Sequence, residues 1–252
     1  MPKLSVIIIC KNEAINILDC INSASFADEI IVLDSGSVDG TTDIVKSTKA
    51  NLLNTDWPGY GIQKNRAIEA SSGDWIFSLD ADERIPEKLA NEIQDAIKQN
   101  QYYVFEVPRR SLFVSKFMRH SGWRPDFTKR LFKKEVAKFS THNVHEHLET
   151  SQKHGRLKES LIHYSYRDFE TVLAKMNNYS TVGALDAFNT GKKSSLRKAL
   201  THGLWAFIHT YFIRLGFLDG QAGLILAIAN AESSYYKYLK LYLLRKKSDS
   251  NF

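Results

Sequence analysis

Two aspartates, Asp80 and Asp82, directly follow an apolar run in the segment GDWIFSLDADE, residues 73–83. In an extended backbone the side chains repeat with a period of two, so we expect both carboxylates to point the same way. Two negative charges held side by side repel each other unless a cation lies between them. Carboxylate oxygens are the ligands that hard divalent cations prefer. The pair therefore predicts a cation site at the end of a buried strand.

Polar side chains also follow the two earlier apolar runs of the chain. Asn12 and Glu13 come after the first run, and Asp34 ends the second. Ligands of parallel sheets bind beyond the carboxyl ends of the strands, where these residues would meet. Clustered acids cost free energy unless they are paired or coordinated, which favours a binding site over a purely structural role.

The elements that must position these residues alternate between strands and helices. Apolar runs and helical periodicity predict the following order: strand 3–10, helix 14–25, strand 29–34, a Gly- and Ser-rich turn 35–43 leading into a short helix, strand 51–55, helix 60–71, strand 74–80, and a helix opened by Pro86. This alternation predicts an α/β fold with a mostly parallel sheet that is covered by helices on both faces.

The pattern changes after about residue 100. A strand is predicted at 102–107, and strands or loops at 142–149 and 160–166, before helical periodicity returns after residue 168. Between 109 and 134, nine Lys and Arg stand against one acid. The tail is predicted to form two amphipathic helices, the first with a single apolar stripe from Leu200 to Leu218.

Charge is spread unevenly along the chain. The net charge is +6, yet residues 192–247 alone hold ten Lys and Arg against Asp219 and Glu232, which leaves −2 on the rest. A near-neutral body with a basic, aromatic tail predicts contact between the tail and an anionic membrane surface, although packing of both stripes onto the body is an equal alternative. No recognition-helix or zinc pattern supports nucleic-acid binding.

The composition excludes several other classes of protein. A content of 43% hydrophobic and 25% charged residues argues against disorder. The two cysteines, Cys10 and Cys20, are predicted to be reduced residues of a cytosolic protein. The apolar start is too short for a signal peptide, and His202, His209 and Arg214 interrupt the best candidate for a membrane span.

Several motifs together resemble the family-2 glycosyltransferases, which have the GT-A fold. They are LSVIIICKNE (4–13), IIVLDSGSVDGTTD (30–43), KNRAIEASSGDWIFSLDADE (64–83) and VHE (144–146). RLF (130–132), HYSY (163–166) and RLGFLDGQAGL (214–224) extend the likeness to bacterial enzymes that add glucose to a heptose of the lipopolysaccharide inner core. Lys11 stands where many members have an aromatic residue.

The resemblance implies a GT-A catalytic domain at 1–168, with residues 1–100 binding the nucleotide sugar and 101–168 the acceptor, and a helical region at 169–252. It implies an inverting, metal-dependent transferase that moves a hexose, such as glucose, from a UDP-sugar to a lipid-linked anionic glycan. The enzyme would be cytoplasmic and peripheral on the inner face of the bacterial inner membrane. A capsule or O-antigen acceptor is a second possibility, and a sugar nucleotidyltransferase a third.

The resemblance also implies roles for individual residues on the donor side. Asp82 would hold Mg²⁺ or Mn²⁺, and Asp80 would contact the ribose and help to hold the metal. Asp34 would accept a hydrogen bond from the uracil ring, Asn12 and Glu13 would contact base or ribose, and Lys64 would approach the phosphates.

On the acceptor side, Glu146 is the expected general base, because an inverting transfer needs a group that takes the proton from the attacking hydroxyl. The basic stretch suits an acceptor with phosphates or carboxylates, with Arg124 and Arg130 as arginine forks and Trp123 stacking on a sugar. His145 and His147 as a metal pair, and His163 as a further metal ligand, are alternatives.

Overall fold

The computed structural model describes residues 2–141 and 146–249, so His145 and the rest of 142–145 lie outside the described residues. The chain divides into two compact units, Met1–Arg110 with Asp126–His163 and Ser111–Pro125 with Tyr164–Phe252. The assignment of 1–168 to catalysis and of 169–252 to a membrane surface stays a prediction.

The first unit is built on a twisted sheet with helices on its faces. Its strands are β1 (Leu4–Cys10), β2 (Glu29–Asp34), β3 (Asn51–Asn54), β4 (Trp75–Asp80), β5 (Glu83–Arg84), the start of β6 (Val104–Phe113), β8 (Phe127–Lys133), β9 (Lys138–Phe139), β10 (Leu148–Glu149), β11 (His154–Arg156) and the start of β12 (Leu161–Tyr166). Its helices are α1 (Ile17–Ser23), α2 (Thr41–Lys46), α3 (Tyr60–Ala70) and α4 (Glu87–Gln99).

The sheet has a parallel half and an antiparallel half. Strands β3, β2, β1 and β4 lie side by side in parallel, and β8 and β6 continue the sheet in antiparallel register. The two-residue strand β5 pairs with β12. This arrangement confirms the predicted α/β fold of GT-A type.

Strand β1 is apolar at every position except Ser5, because both of its faces are buried. Val6 and Ile8 pack in a cluster with residues of α1 and α4, whereas Ile7 and Ile9 pack with Ala67 of α3 and with residues of β8 and β9. A strand covered on both sides gains from apolar residues at every position, which explains the run VIIIC at residues 6–10.

The second unit is helical apart from one hairpin. It contains the end of β6, β7 (Lys116–Phe117), the end of β12, α5 (Phe169–Asn189), α6 (Leu196–Ile208) and α7 (Gln221–Asp249), and α7 packs against both α5 and α6. Phe113 and Met118 of the hairpin region form a small core with Val172 and with the α7 residues Leu226 and Ala229. Within residues 2–141 and 146–249, no helix is both long enough and apolar enough to cross a membrane.

The prediction of one helical stripe from Leu200 to Leu218 is wrong, because α6 changes at Ile208 into a π-helical segment and the helix stops before Arg214. A π-helical turn (His209–Ile213) and a 3₁₀ turn (Gly216–Asp219) follow, and Leu215 between them has a φ of 56°. Gly216 lies so close to the preceding turn that a Cβ there would be 2.7 Å from the Thr210 carbonyl oxygen. A side chain at that position would clash, so the tight return depends on glycine.

Candidate functional site

The acidic residues lie at the carboxyl edge of the parallel strands, as the strand order requires. In the sheet register Asp34 is opposite Cys10, and Asp80 is opposite Ile9. Strand β1 therefore ends between β2 and β4 with one carboxylate on each side. This is the edge at which parallel α/β sheets bind ligands.

Asp80 is held by two cations, one on each carboxylate oxygen. Arg130 lies 2.5 Å from Oδ2, and the ammonium of Lys64 lies 3.2 Å from Oδ1. Burial alone would raise the pKa of Asp80, but Arg130 and Lys64 outweigh it and hold the pKa well below its usual range. Asp80 is thus ionised at neutral pH and fixed in position.

Glu83 is a buried acid that sequence reasoning missed. Its side chain is 0% exposed, contacts Arg130 at 2.7 Å and Arg109 at 3.6 Å, and accepts the backbone N–H of Asp80. Burial raises the pKa of Glu83 despite the opposing charge of Arg130. Arg109 in turn binds Asp126 at 2.8 Å. The spacing of apolar residues could not predict the burial of this glutamate, because Glu83 lies in a strand of only two residues directly after the aspartate motif.

Lys64 joins Asp80 to Glu146, the expected general base. Its ammonium lies 3.1 Å from Oε1 of Glu146, and the lysine side chain is only 5% exposed. A buried lysine is stable as a cation only when it is paired, and here two carboxylates share it. Lys64, the residue expected to approach the phosphates, therefore forms ion pairs with both Asp80 and Glu146.

Helix α3 delivers Lys64 to this place through two contacts with the segment after β8. The side-chain amide of Asn65 accepts the N–H of Phe139 at 2.8 Å and donates to the Phe139 carbonyl at 2.9 Å. Gly61 lies so close to Ser140 that a Cβ would be 1.8 Å from the Ser140 carbonyl oxygen. Any other residue at position 61 would push the helix away from the strand.

Asp82 has different surroundings from Asp80. The chain turns at residues 81 and 82, so the extended backbone assumed for the aspartate pair stops at Asp80, and the argument from a side-chain period of two does not apply to Asp82. Arg84 supports this turn by donating to the carbonyls of Ala81 and Glu83. Asp82 instead lies 3.3 Å from Nε2 of His163.

The surroundings of Asp82 fit a divalent cation. Over the described ranges, Asp82 forms no ion pair with lysine or arginine, and the side chain it pairs with is the His163 imidazole. Its charge is thus left without a permanent counterion, which a metal could supply. A ready-made cage of three or more His, Cys, Asp or Glu is not found among residues 2–141 and 146–249. Further ligands would have to come from a substrate or from water.

Asp34 organises the loop after β2. Its carboxylate accepts the backbone N–H groups of Gly36 and Ser37, both at 2.9 Å, together with the Ser37 hydroxyl. Ser37 also accepts the N–H of Asn12, whose side chain accepts the N–H of Val38. The loops that end β1 and β2 are therefore tied to each other by side chains.

Glu13 belongs to the same network of loops. Its N–H donates to Thr41, and its carboxylate accepts from Asn16. Asp39 accepts from Ala14 and from Thr41, and these hydrogen bonds lower its pKa. The candidate donor-binding residues of β1 and β2 thus form one preordered surface.

An open cavity of about 440 Å³ lies beside the charged residues of the first unit. It is lined by Lys64, Asp80, Glu106, Arg109, Phe127, Thr128, Lys129, Arg130, Phe139, Glu146, His147 and Leu148. His147 hydrogen-bonds Ser140 there rather than standing free. The expected base Glu146 and the expected donor residues Lys64 and Asp80 therefore share a cavity.

The other predicted acceptor residues belong to the second unit. Trp123 packs edge-on against Phe113 at 5.7 Å and beside Tyr166 at 6.0 Å, which places its ring in an aromatic cluster. Arg124 is exposed and precedes a cis peptide bond to Pro125. Their role toward an acceptor stays a prediction.

Comparison with known proteins gives a consistent result. The family model for glycosyl transferase family 2 matches residues 5–148. A glycosyltransferase of Rickettsia bellii is 33% identical over 98% of this chain and 87% of its own length. The lipopolysaccharide core biosynthesis glycosyltransferase LpsC of Rhizobium meliloti is 29% identical over 96% of this chain and 93% of its own.

Likenesses to solved structures are weaker. Residues 1–349 of TarS from S. aureus match with a TM-score of 0.49 and 16% identity over 99% of this chain and 92% of that one. Glucosyl-3-phosphoglycerate synthase from Mycobacterium tuberculosis, in complex with Mn²⁺, UDP and glucosyl-3-phosphoglycerate, matches with a TM-score of 0.37 and 25% identity over 44% of each chain.

Proposed function

Because the chain belongs to glycosyl transferase family 2, we propose that it is an inverting hexosyltransferase that uses a UDP-sugar and acts on the lipopolysaccharide inner core. Similarity to a lipopolysaccharide core glycosyltransferase over nearly the whole chain supports this class of acceptor. Heptose as the acceptor sugar and glucose as the transferred hexose rest on the likeness carried by VHE (144–146), RLF (130–132), HYSY (163–166) and RLGFLDGQAGL (214–224).

The observation on which the proposal rests is that Glu146, Lys64 and Asp80 meet at the carboxyl edge of the sheet. Glu146 takes the proton of the acceptor hydroxyl while that oxygen forms a bond to the anomeric carbon of the donor. The bond from this carbon to the diphosphate oxygen breaks on the opposite face, so the configuration inverts. The cavity beside Glu146 leaves room for the acceptor hydroxyl.

Asp82 with His163, helped by Asp80, would hold Mg²⁺ or Mn²⁺, which when bound stabilises the charge of the leaving diphosphate as a Lewis acid. Asp80 is kept ionised for this purpose by Arg130 and Lys64. Asp34, Asn12 and Glu13 form the preordered loops on which the uridine would be bound. The transferase would be bound peripherally at the inner face of the bacterial inner membrane, where a lipid-linked acceptor is found.

The experiment is transfer from several UDP-sugars to purified truncated core lipid, in the presence of Mn²⁺ or of EDTA, with the product identified by mass. We expect one UDP-hexose to be used and EDTA to stop the reaction. Transfer only to a capsule or O-antigen intermediate would assign the other acceptor class, and transfer from a non-uridine donor would contradict the UDP-sugar proposal.

The role of Glu146 is tested with a matched pair of variants. Glu146→Gln should lower kcat by about 100-fold or more, since a general base contributes about 10²–10⁴-fold. Glu149→Gln, three residues further along, should behave like the natural protein. Equal kcat values for the two variants would show that the base lies elsewhere.

A further inference from the structure

One face of the second unit exposes more large apolar side chains than a water-facing surface normally does. Between residues 196 and 218, nine such side chains are each at least 44% exposed: Leu196, Leu200, Leu204, Trp205, Phe212, Ile213, Leu215, Phe217 and Leu218. Large contiguous apolar patches on a protein surface mark sites of interaction. We call these nine residues the α6 face.

The stripe on α6 is exposed because the helix packs through its opposite side. Ala199 and Gly203 are buried, and Gly203 lies against α7, where a Cβ would be 3.2 Å from the Ala231 carbonyl. His202 stacks on Tyr238 of α7 with ring centroids 4.0 Å apart. Leu196, Leu200 and Leu204 follow each other at four-residue spacing and so form one stripe that α7 does not cover.

The rest of the α6 face is held in a fixed conformation. Asp219 closes the 3₁₀ turn from within: it is 1% exposed and accepts the N–H groups of Arg119 and His120. Ser121 donates its N–H to the Arg214 carbonyl at 2.7 Å. The apolar side chains of this turn are therefore presented outward by a braced backbone rather than by a loose loop.

The exposed charges in the stretch of chain that carries the α6 face have one sign. From residue 187 to residue 231 the chain contains five cations, Lys192, Lys193, Arg197, Lys198 and Arg214, and all five are exposed. Asp219 is the one acid in this range, and it is buried. An apolar stretch that carries exposed cations and no exposed acid of its own is complementary to the headgroups of an anionic bilayer.

Two cations of α7 are bonded to neighbouring elements of the second unit. The ammonium of Lys240 donates to Asn177, Ser180 and Thr181 of α5. Arg245 donates to the carbonyls of Phe188 and Lys192. These two charges, which the sequence alone assigns to a lipid surface, fasten α7 to its neighbours instead.

We propose that the α6 face, and not the last helix, inserts into the headgroup region of an anionic membrane. The inference deepens the peripheral association proposed above by naming the surface responsible. It does not depend on which sugar is transferred or accepted. Binding would be driven by burial of the nine apolar side chains and would be strengthened by the five exposed cations.

The test is flotation of the full chain with phosphatidylcholine vesicles, with and without phosphatidylglycerol, in the absence of donor and acceptor. Leu204→Glu is compared with Leu243→Glu, which places the same charge on an exposed leucine of α7; the two leucines are 63% and 52% exposed. We expect Leu204→Glu to weaken binding to anionic vesicles by at least about tenfold, the factor that corresponds to removing one buried leucine. Leu243→Glu should bind normally.

Circular dichroism and the thermal midpoint of each variant verify folding, and a further variant, Arg197→Gln, tests the charges. It should weaken binding to anionic vesicles and leave the weak binding to neutral vesicles unchanged. Equal loss in Leu204→Glu and Leu243→Glu, or no loss in either, would overturn the proposal. So would a dimer of the natural protein that Leu204→Glu dissociates, because the α6 face would then be covered by a second copy. None of these outcomes would affect the transferase assignment, because the flotation assay contains no sugar substrate and does not measure transfer.

Discussion

The most demanding prediction concerns Arg130, which the sequence alone assigns to the acceptor. The structure places its guanidinium between Asp80 and Glu83, at 2.5 and 2.7 Å, with the arginine side chain 6% exposed. The substitution Arg130→Met keeps most of the volume and removes the charge. If the guanidinium serves mainly to hold the two carboxylates, the variant should lose stability rather than affinity for an acceptor.

The expected loss follows from the burial of the groups left behind. Removing one member of a buried ionic network costs about 3–5 kcal/mol, because the remaining charges stay desolvated. Lys64 still neutralises Asp80 in part, and Arg109 still lies 3.6 Å from Glu83. We therefore expect the lower end of this range, about 3 kcal/mol, which is a large part of the stability of an ordinary domain.

The measurement is urea unfolding of both proteins at several pH values. In the natural protein the low pKa of Asp80 adds stability that is present above its unfolded pKa of about 3.9 and is lost as the pH falls. In Arg130→Met, burial of Asp80 and Glu83 is less opposed, so their pKa values rise and the folded state binds a proton. The variant's stability then falls as the pH rises, so its deficit should be smaller at pH 5 than at pH 7.5.

The matched control is Arg156→Met, which removes an exposed arginine that pairs with Glu106, a residue that also lies 3.3 Å from His154. The Arg156 side chain is 63% exposed, so this change should cost no more than about 1 kcal/mol. Adding Glu83→Gln to Arg130→Met should restore part of the lost stability, because one uncompensated charge is removed. Equal losses for Arg130→Met and the control, with a raised acceptor KM for Arg130→Met, would refute the reasoning and favour acceptor binding.

Three further predictions address the metal and the placement of α3. Asp82→Asn should lower transfer by about 100-fold or more, because a metal-binding carboxylate supports several kcal/mol of charge stabilisation. The control Asp43→Asn changes an exposed aspartate and should be active. Near-normal turnover of Asp82→Asn with saturating Mn²⁺ would contradict a metal-binding role for Asp82. Treatment with EDTA should abolish transfer, and Mn²⁺ should restore it; activity that persists in EDTA would exclude a required divalent metal. Gly61→Ala should lower the free energy of unfolding in urea by about 1–3 kcal/mol and should lower kcat, because the new Cβ meets the Ser140 carbonyl. In the control Gly183→Ala the new Cβ meets only a flexible lysine side chain, so its stability should be nearly unchanged. Equal stability of the two variants would contradict the close approach of Gly61 to Ser140.

The sequence predicted much of the first unit because its signals are local. The run LSVIIIC forms strand β1, and the acids Asp34 and Asp80 are the last residues of strands β2 and β4, as expected. Alternation of strand and helix then suffices to bring these ends to one edge, so the meeting of these acids follows from the sequence pattern alone.

The electrostatic network was beyond sequence reasoning because its members are far apart in the chain. Glu83 and Arg130 pair across 47 residues, and Lys64 and Glu146 across 82. No periodicity records such contacts, which arise only when β8 and α3 pack beside β4. The stripe from Leu200 to Leu218 misled for the opposite reason: apolar spacing continued, but the turn around Gly216 ended the helix.

Sharing one ammonium between two carboxylates has an electrical consequence. Lys64 lies 3.1 Å from Glu146 and 3.2 Å from Asp80, so neither acid can change its charge without altering the field at the other. When Glu146 becomes neutral by gaining a proton, the lysine loses one of its two counterions, and its positive charge becomes available to whatever negative charge is growing on the other side. In the proposed reaction, the Lys64 ammonium would thus couple removal of the proton from the acceptor hydroxyl to departure of the diphosphate.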